Sequence, residues 1–216
     1  MGLDNKTLEN LRVAYKMEKL DTGDIKNDPF EQFQVWFDEA LKSECDEPNA
    51  FTLSTIGNNR PHSRVVLLKG FHQKSPIFYT NYLSQKGHEL ESNPFGAINF
   101  LWLPLQRQVR IEGKIYKLDA RLSDAYFNKR PRGSQLGAIA SPQSEKVENR
   151  KTLEDLFDAT EEKFKTIDPI PRPENWGGYY LVPDYYEFWQ GRDNRMHDRL
   201  SYRLDGASWI IERLAP

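Results

Sequence analysis

The chain has 216 residues, with 30 Lys and Arg against 32 Asp and Glu for a formal net charge of −2, and it is 38% hydrophobic and 12% aromatic. That length fits one ordinary domain. The charge balance excludes a dedicated nucleic-acid binder, which needs a basic excess, and the aromatic content excludes wholesale disorder.

A single cysteine, Cys45, excludes an internal disulfide and a cysteine-cluster metal site, and no metal is expected. The longest apolar run, Ala97 to Leu105, is broken by Asn99 and Pro104 and falls far short of the ~20 residues of a membrane span. The first twelve residues have no apolar signal-peptide core. Together these features predict a soluble cytoplasmic protein.

Leu8, Leu11 and Tyr15 recur at helical spacing and predict an amphipathic N-terminal helix. Asp28-Pro29-Phe30-Glu31 reads as a helix start, with Asp as cap, Pro in the first turn and Glu three residues on. Phe33, Trp36, Phe37, Ala40 and Leu41 then form one apolar face. From Ala50 the period changes to that of strands: Ala50–Ile56, a Gly57-Asn58-Asn59 turn, and Pro61–Lys69 predict a hairpin. Pro76–Thr80, Phe95–Leu103 and Arg107–Leu118 read as further strands, with a short helix over Ser84–Ser92.

Asp119–Lys129 is predicted helical up to Pro131, followed by a short turn of helix over Gly133–Ala140. Lys146–Lys165 reads as a charged helix with Leu153, Leu156, Phe157 and Phe164 beneath it. After a Pro-rich link, Gly178–Val182, Tyr185–Gln190, His197–Leu204 and Ser208–Leu214 are predicted strands, the last two joined by an Asp205-Gly206 turn. About eight strands with short turns favour a closed antiparallel barrel. No Gly-x-Gly-x-x-Gly follows a strand, which argues against a dinucleotide-binding fold.

Three segments carry chemistry. Arg64 and Lys69 flank four apolar residues, and their separation of five places them on opposite faces of a regular strand. They are either solvent-facing strand ends or two anion sites, one per face. Tyr126 and Arg130 share a helix face, and Ser134 sits at the start of the next helical turn, so the three form a phosphate cradle or a solvated basic loop. Arg195, His197 and Arg199 alternate, which puts two guanidiniums and an imidazole on one face of an extended chain, an arrangement costly to bury without an anion. His62, His72 and His88 read as surface residues. Gln108, Gln143 and Ser144 can read the edge of a heteroaromatic ring, and Lys86 can meet a phosphate, although each is a weak signal alone.

Taken together, Arg64–Lys69 with Tyr79-Thr80-Asn81, Arg130-Pro-x-x-Ser-Gln-x-Gly137, Phe188-Trp-Gln-Gly191, Arg195-x-His-Asp-Arg199 and Arg213-Leu-Ala-Pro216 resemble the pyridoxine/pyridoxamine 5′-phosphate oxidases, FMN enzymes of the split-barrel class. The likeness runs from about Leu11 to Pro216. It implies an α+β fold, mainly β: an antiparallel split β-barrel with peripheral helices, forming a single FMN-binding domain over residues 1–216. Residues 1–20 would form a mobile flap and 178–216 the strands that complete the site. It further implies a homodimer with FMN at the subunit interface, acting on pyridoxamine 5′-phosphate and pyridoxine 5′-phosphate with O₂ as oxidant.

By the same resemblance, FMN contacts fall on Arg64, Val65, Val66, Leu67, Leu68, Lys69, Tyr79, Thr80, Gln85, Lys86, Gln108, Gln143, Ser144, Trp189 and Arg199. Substrate contacts fall on Lys69, Tyr126, Arg130, Ser134, Arg195, Met196 and His197, with Arg12 and Tyr15 in the flap and Arg195 and His197 as the catalytic pair. Gln85 stands where many members carry Arg, and Val13-Ala14 where members often carry a second Arg and an acid. The competing readings are a split barrel that holds flavin or pyridoxal phosphate without turnover, and a related flavin reductase.

Overall fold

The computed structural model describes residues 19–23 and 25–216, so the expected N-terminal helix, with Arg12 and Tyr15, lies outside the described residues. Five helices are described: α1 (Pro29–Lys42), α2 (Gln85–Ser92), α3 (Ala120–Lys129), α4 (Arg132–Ala140) and α5 (Arg150–Phe164). Nine strands accompany them: β1 (Ala50–Gly57), β2 (Arg60–Leu67), β3 (Gly70–His72), β4 (Ser75–Asn81), β5 (Phe95–Trp102), β6 (Arg107–Lys117), β7 (Trp176–Gln190), β8 (Asp198–Asp205) and β9 (Ser208–Leu214). None of the described helices is long and apolar enough to cross a membrane.

Local chemistry sets the element boundaries. Asp28 caps α1 by accepting from the Phe30 and Glu31 amides, as its sequence signature requires. Leu41, expected on the apolar face, is 57% exposed, and Gln32 is buried in that face. Helix α5 starts at Arg150, later than expected, because the Asn149 side chain caps it by accepting from Thr152 N. On that helix Phe164 is buried while Leu156 points outward.

Three hairpins close on two-residue turns. Asn58-Asn59 and Gln73-Lys74 both place two successive residues at positive φ, the requirement of a type I′ turn. The Gln73-Lys74 hairpin adds β3 to the expected β4, and the sequence pattern did not predict β3 because three residues are too few to show an alternation. Asp205 pairs with Ser208, so the last turn is Gly206-Ala207, one residue later than expected, with Gly206 at φ 61.

Strand order runs β2-β1-β5-β6-β7-β4-β3, with β8 on β7 and β9 on β8. Among the described residues this path does not return to its start, so the barrel is split, as the resemblance implies, and not closed, as the strand pattern alone suggests. The reason lies in β7, a single 15-residue strand where the sequence pattern predicted two, Gly178–Val182 and Tyr185–Gln190. Its first part pairs β4 (Ile77↔Tyr180 to Asn81↔Trp176) and its second part pairs β8 (Tyr185↔Arg203 to Gln190↔Asp198). Gly113 is what lets the chain pass Pro183: a Cβ there would lie 2.0 Å from the Val182 carbonyl oxygen.

The chain divides into two compact units, one of residues up to 48, 99–111 and 185–216, the other of residues 49–98 and 112–184. In the first, Phe33 packs on Phe100 at 5.1 Å, Trp36 meets Phe188 edge-on at 5.2 Å, and Phe188 meets Tyr202 at 5.5 Å. Buried Arg107 is accommodated there by Glu39, by Gln190 Oε1 at 2.7 Å and by the Trp36 ring. In the second, Phe127, Leu136, Phe164, Ile170 and Trp176 form a buried cluster beneath the helices.

Candidate active site

The second unit contains a cavity of about 670 Å³. It brings together Arg64, Val65, Val66, Leu67, Lys69, Tyr79, Thr80, Lys86, Tyr126, Arg130, Ser134 and Gln143 from the sequence-predicted set, together with Trp176. Leu68 is buried in the core beside it. Gln85 and Ser144 flank cavity residues without lining it.

Arg64 and Lys69 therefore serve one cavity, not one on each face of a strand. The alternation fails because β2 ends at Leu67, and Lys69 lies in the link to β3, where its amide bonds Ile77 O at 2.9 Å. Arg64 is not a solvent-facing strand end either. Its Nη2 donates to Glu89 Oε2 at 3.0 Å, and its Nη1 donates to Thr55 Oγ1 and His62 O. Glu89, on α2 and 6% exposed, also meets His62 Nδ1 at 2.6 Å and accepts from Gln85 Nε2 at 2.8 Å. Burial alone would raise its carboxyl, but the bonds from Thr55, Gln85 and Arg64 outweigh that and hold it below the usual range. The sequence reading missed Glu89 and took His62 for a surface residue. The available signal was the four-residue spacing of Gln85 and Glu89 on one helix face.

Lys86 is the most enclosed cation of the site. Its Nζ donates to Thr80 Oγ1, Ser84 Oγ and Gln143 Oε1, each at 3.2 Å. All three are neutral oxygens. Burial, reinforced by the charge of Arg64, brings its pKa down to about 8. Gln143 Oε1 also accepts from Thr80 Oγ1 at 2.8 Å, which fixes the amide.

Of the helices that line the cavity, α3 stops at Arg130, whose extended backbone suits the residue before a proline, and Pro131 then opens α4. This corner brings Arg130 and Ser134 to the same cavity. The Tyr126 ring stacks on Tyr79 at 3.9 Å and 13°. Burial pushes the Tyr79 phenol up to about 12 and raises that of Tyr126. Arg130 Nη1 is buried with no hydrogen-bond partner, and the guanidinium carbon stands 4.6 Å from the Trp176 ring centroid. A buried donor without a partner and a buried lysine bonded only to neutral oxygens, both lining one cavity, fit a site built for anionic oxygen.

The remaining predicted residues, Gln108, Trp189, Arg195, Met196, His197 and Arg199, belong to the first unit. Their expected alternation does not hold. Asp193–Arg195 is a 3₁₀ turn with Asn194 and Arg195 at positive φ, and β8 begins only at Asp198. Arg195 and Met196 are exposed. Arg199 donates to Glu187 Oε1 at 2.8 Å and to Ala215 O at 2.8 Å, and the Glu187 bond raises its pKa. His197 packs against Trp189 with centroids 4.7 Å apart and the rings tilted by 43°, and its Nδ1 accepts from the Arg192 amide at 3.1 Å. Burial, then the Arg195 charge, lowers its pKa. Because Nδ1 accepts, the neutral ring carries its proton on Nε2, which makes Nε2 a donor.

Residues 37–164 match the family described as pyridoxamine 5′-phosphate oxidase, and residues 176–216 match the pyridoxine 5′-phosphate oxidase C-terminal dimerisation region. The pyridoxine/pyridoxamine 5′-phosphate oxidase of Acaryochloris marina is 49% identical over 97% of this chain and 96% of its own length. That of Salinibacter ruber is 50% identical over 97% and 99%. Among solved structures, PhzG from Burkholderia lata, in complex with tetrahydrophenazine-1-carboxylic acid, aligns with a TM-score of 0.85 at 27% identity, over 93% of this chain and 99% of that one. A pyridoxamine 5′-phosphate oxidase-related, FMN-binding protein from Nostoc punctiforme, 17% identical over 89% of this chain and all of its own, shares the fold with a TM-score of 0.70. By sequence over nearly its whole length, and by fold, the chain belongs to the pyridoxamine 5′-phosphate oxidase family.

Proposed function

We propose that this chain is an FMN-dependent oxidase that converts pyridoxamine 5′-phosphate and pyridoxine 5′-phosphate to pyridoxal 5′-phosphate, in the synthesis and salvage of vitamin B6. It would act as a homodimer with FMN at the subunit interface. One observation carries this reading beyond family membership: four cations, Arg64, Lys69, Lys86 and Arg130, line one cavity together with the hydroxyl-bearing Thr80, Tyr126 and Ser134. Cofactor and substrate each bring a phosphate, and a site for both needs several cations.

Lys86, Thr80, Gln143 and Arg64 would hold FMN, and Lys69, Tyr126, Arg130 and Ser134 the substrate phosphate. FMN, when bound, supplies the two-electron acceptor that removes a hydride from substrate C4′ and is restored by O₂, with H₂O₂ as product. Oxidised pyridoxamine 5′-phosphate is an imine, which water converts to the aldehyde and ammonia; pyridoxine 5′-phosphate gives the aldehyde directly. The protein's part is orientation. Gripping the phosphate uses binding energy remote from C4′ to fix the ring for reaction. Arg195 would hold the substrate ring, and His197, with its Nε2 proton, would donate to a polar ring substituent.

Titrating the ligand-free protein with FMN, followed by flavin fluorescence, tests the cofactor half. A charge-assisted bond is worth about 1.5–3 kcal/mol, so Lys86→Met should weaken FMN binding by about tenfold or more. Unchanged affinity would remove Lys86 from the phosphate site.

A further inference from the structure

Trp176 opens β7, is 6% exposed and lines the cavity. One neighbour of its ring is core: Phe127 meets it edge-on at 5.2 Å and 67°. Another is the Arg130 guanidinium, 4.6 Å from the ring centroid. Arg130 ends α3 and lines the cavity with its Nη1 buried and unbonded. A guanidinium is all donor, and no hydrogen bond made by that nitrogen explains where it sits. What holds the group is aromatic: the indole face, the nearer, at 4.6 Å, and the Phe127 ring, with its centroid 5.8 Å away, through cation–π attraction and stacking.

We infer that Trp176 is the positioning residue for the substrate phosphate, seating Arg130 so that its unbonded Nη1 is presented before the substrate arrives. This rests on the oxidase reading above and extends it to a residue that works through Arg130. An arginine already held by an aromatic face has lost its rotamer freedom in advance, so gripping the phosphate costs less. Lysine has no planar fork to stack in this way, which explains why the position calls for Arg.

The test measures dissociation constants of pyridoxal 5′-phosphate and of pyridoxal by calorimetry on the FMN-loaded protein. Their ratio isolates the phosphate's contribution. The wild type should prefer the phosphorylated form. Loss of the indole face should cut that preference about tenfold in Trp176→Leu and about threefold in Trp176→Phe, which keeps a weaker aromatic face. Pyridoxal binding should stay unchanged in both. Ile170→Val, in the same core, should lower thermal stability and keep the wild-type ratio.

A Trp176→Leu protein that melts cooperatively and keeps the wild-type ratio would overturn the inference and leave the oxidase reading standing. So would equal weakening of pyridoxal and its phosphate, which marks Trp176 as structural only. If Trp176→Leu does not fold, Trp176→Phe decides on the same criterion. A wild type with no preference for the phosphorylated form would overturn the oxidase reading, and this inference with it.

Discussion

Lys86 shows how one residue's surroundings set the pH behaviour of the site. Burial brings its pKa from 10.5 to about 8. The folded chain thus binds fewer protons than the unfolded chain between those values, and stability of the FMN-free protein should rise with pH across that window. Lys86→Met should abolish the rise in a series of denaturant titrations from pH 7 to 10; a rise that persists would assign it to another group. An arriving phosphate dianion restores the lysine's charge, so FMN binding near pH 8 should take up a proton. Calorimetry in buffers of different ionisation enthalpy reads that uptake directly. At this scale the sequence was legible where residue type decides and illegible where neighbours decide. Tyr126, Arg130 and Ser134 do meet on one cavity, as their spacing indicates. Glu89 escaped notice because its three-dimensional partners Thr55, His62 and Arg64 lie far from it along the chain.

The elements that position the site are short, and their ends matter more than their interiors. Arg130 reaches the cavity because α3 stops before Pro131 and α4 begins at Arg132. Pro131→Ala should remove that stop, lower the unfolding free energy by about 0.5–1 kcal/mol and raise KM for phosphorylated substrate. An unchanged KM would show that the corner forms without proline. Gly113 is a second such point: a Cβ there would press on the Val182 carbonyl. Gly113→Ala should cost about 1–3 kcal/mol in denaturant unfolding. Helix and strand assignments from periodicity held for long elements such as α1 and β6. They failed at β3, which is three residues long, and at Arg64 to Lys69 and Arg195 to Arg199, where alternation was extended beyond the end or ahead of the start of a strand.

For the whole molecule, the split in the barrel traces to β7, which changes partner along its length from β4 to β8. Hydropathy alternation records which face of a strand is buried but not which strand lies beside it, so the strand pattern alone favoured closure and only the family resemblance indicated the split. Residues 176–216, matched by the dimerisation-region family, begin with this strand. Sedimentation should accordingly give twice the chain mass of 25.3 kDa. A monomer in solution with FMN bound would contradict the interfacial placement of the cofactor. The central claim is turnover, and the most direct measurement is aldehyde formation from pyridoxamine 5′-phosphate by FMN-loaded protein in air, followed by the absorbance of pyridoxal 5′-phosphate. The account predicts product that requires both FMN and O₂, appears with an equal amount of H₂O₂, and falls sharply in Arg195→Ala while FMN stays bound. A flavin-loaded protein that forms no pyridoxal 5′-phosphate would contradict it.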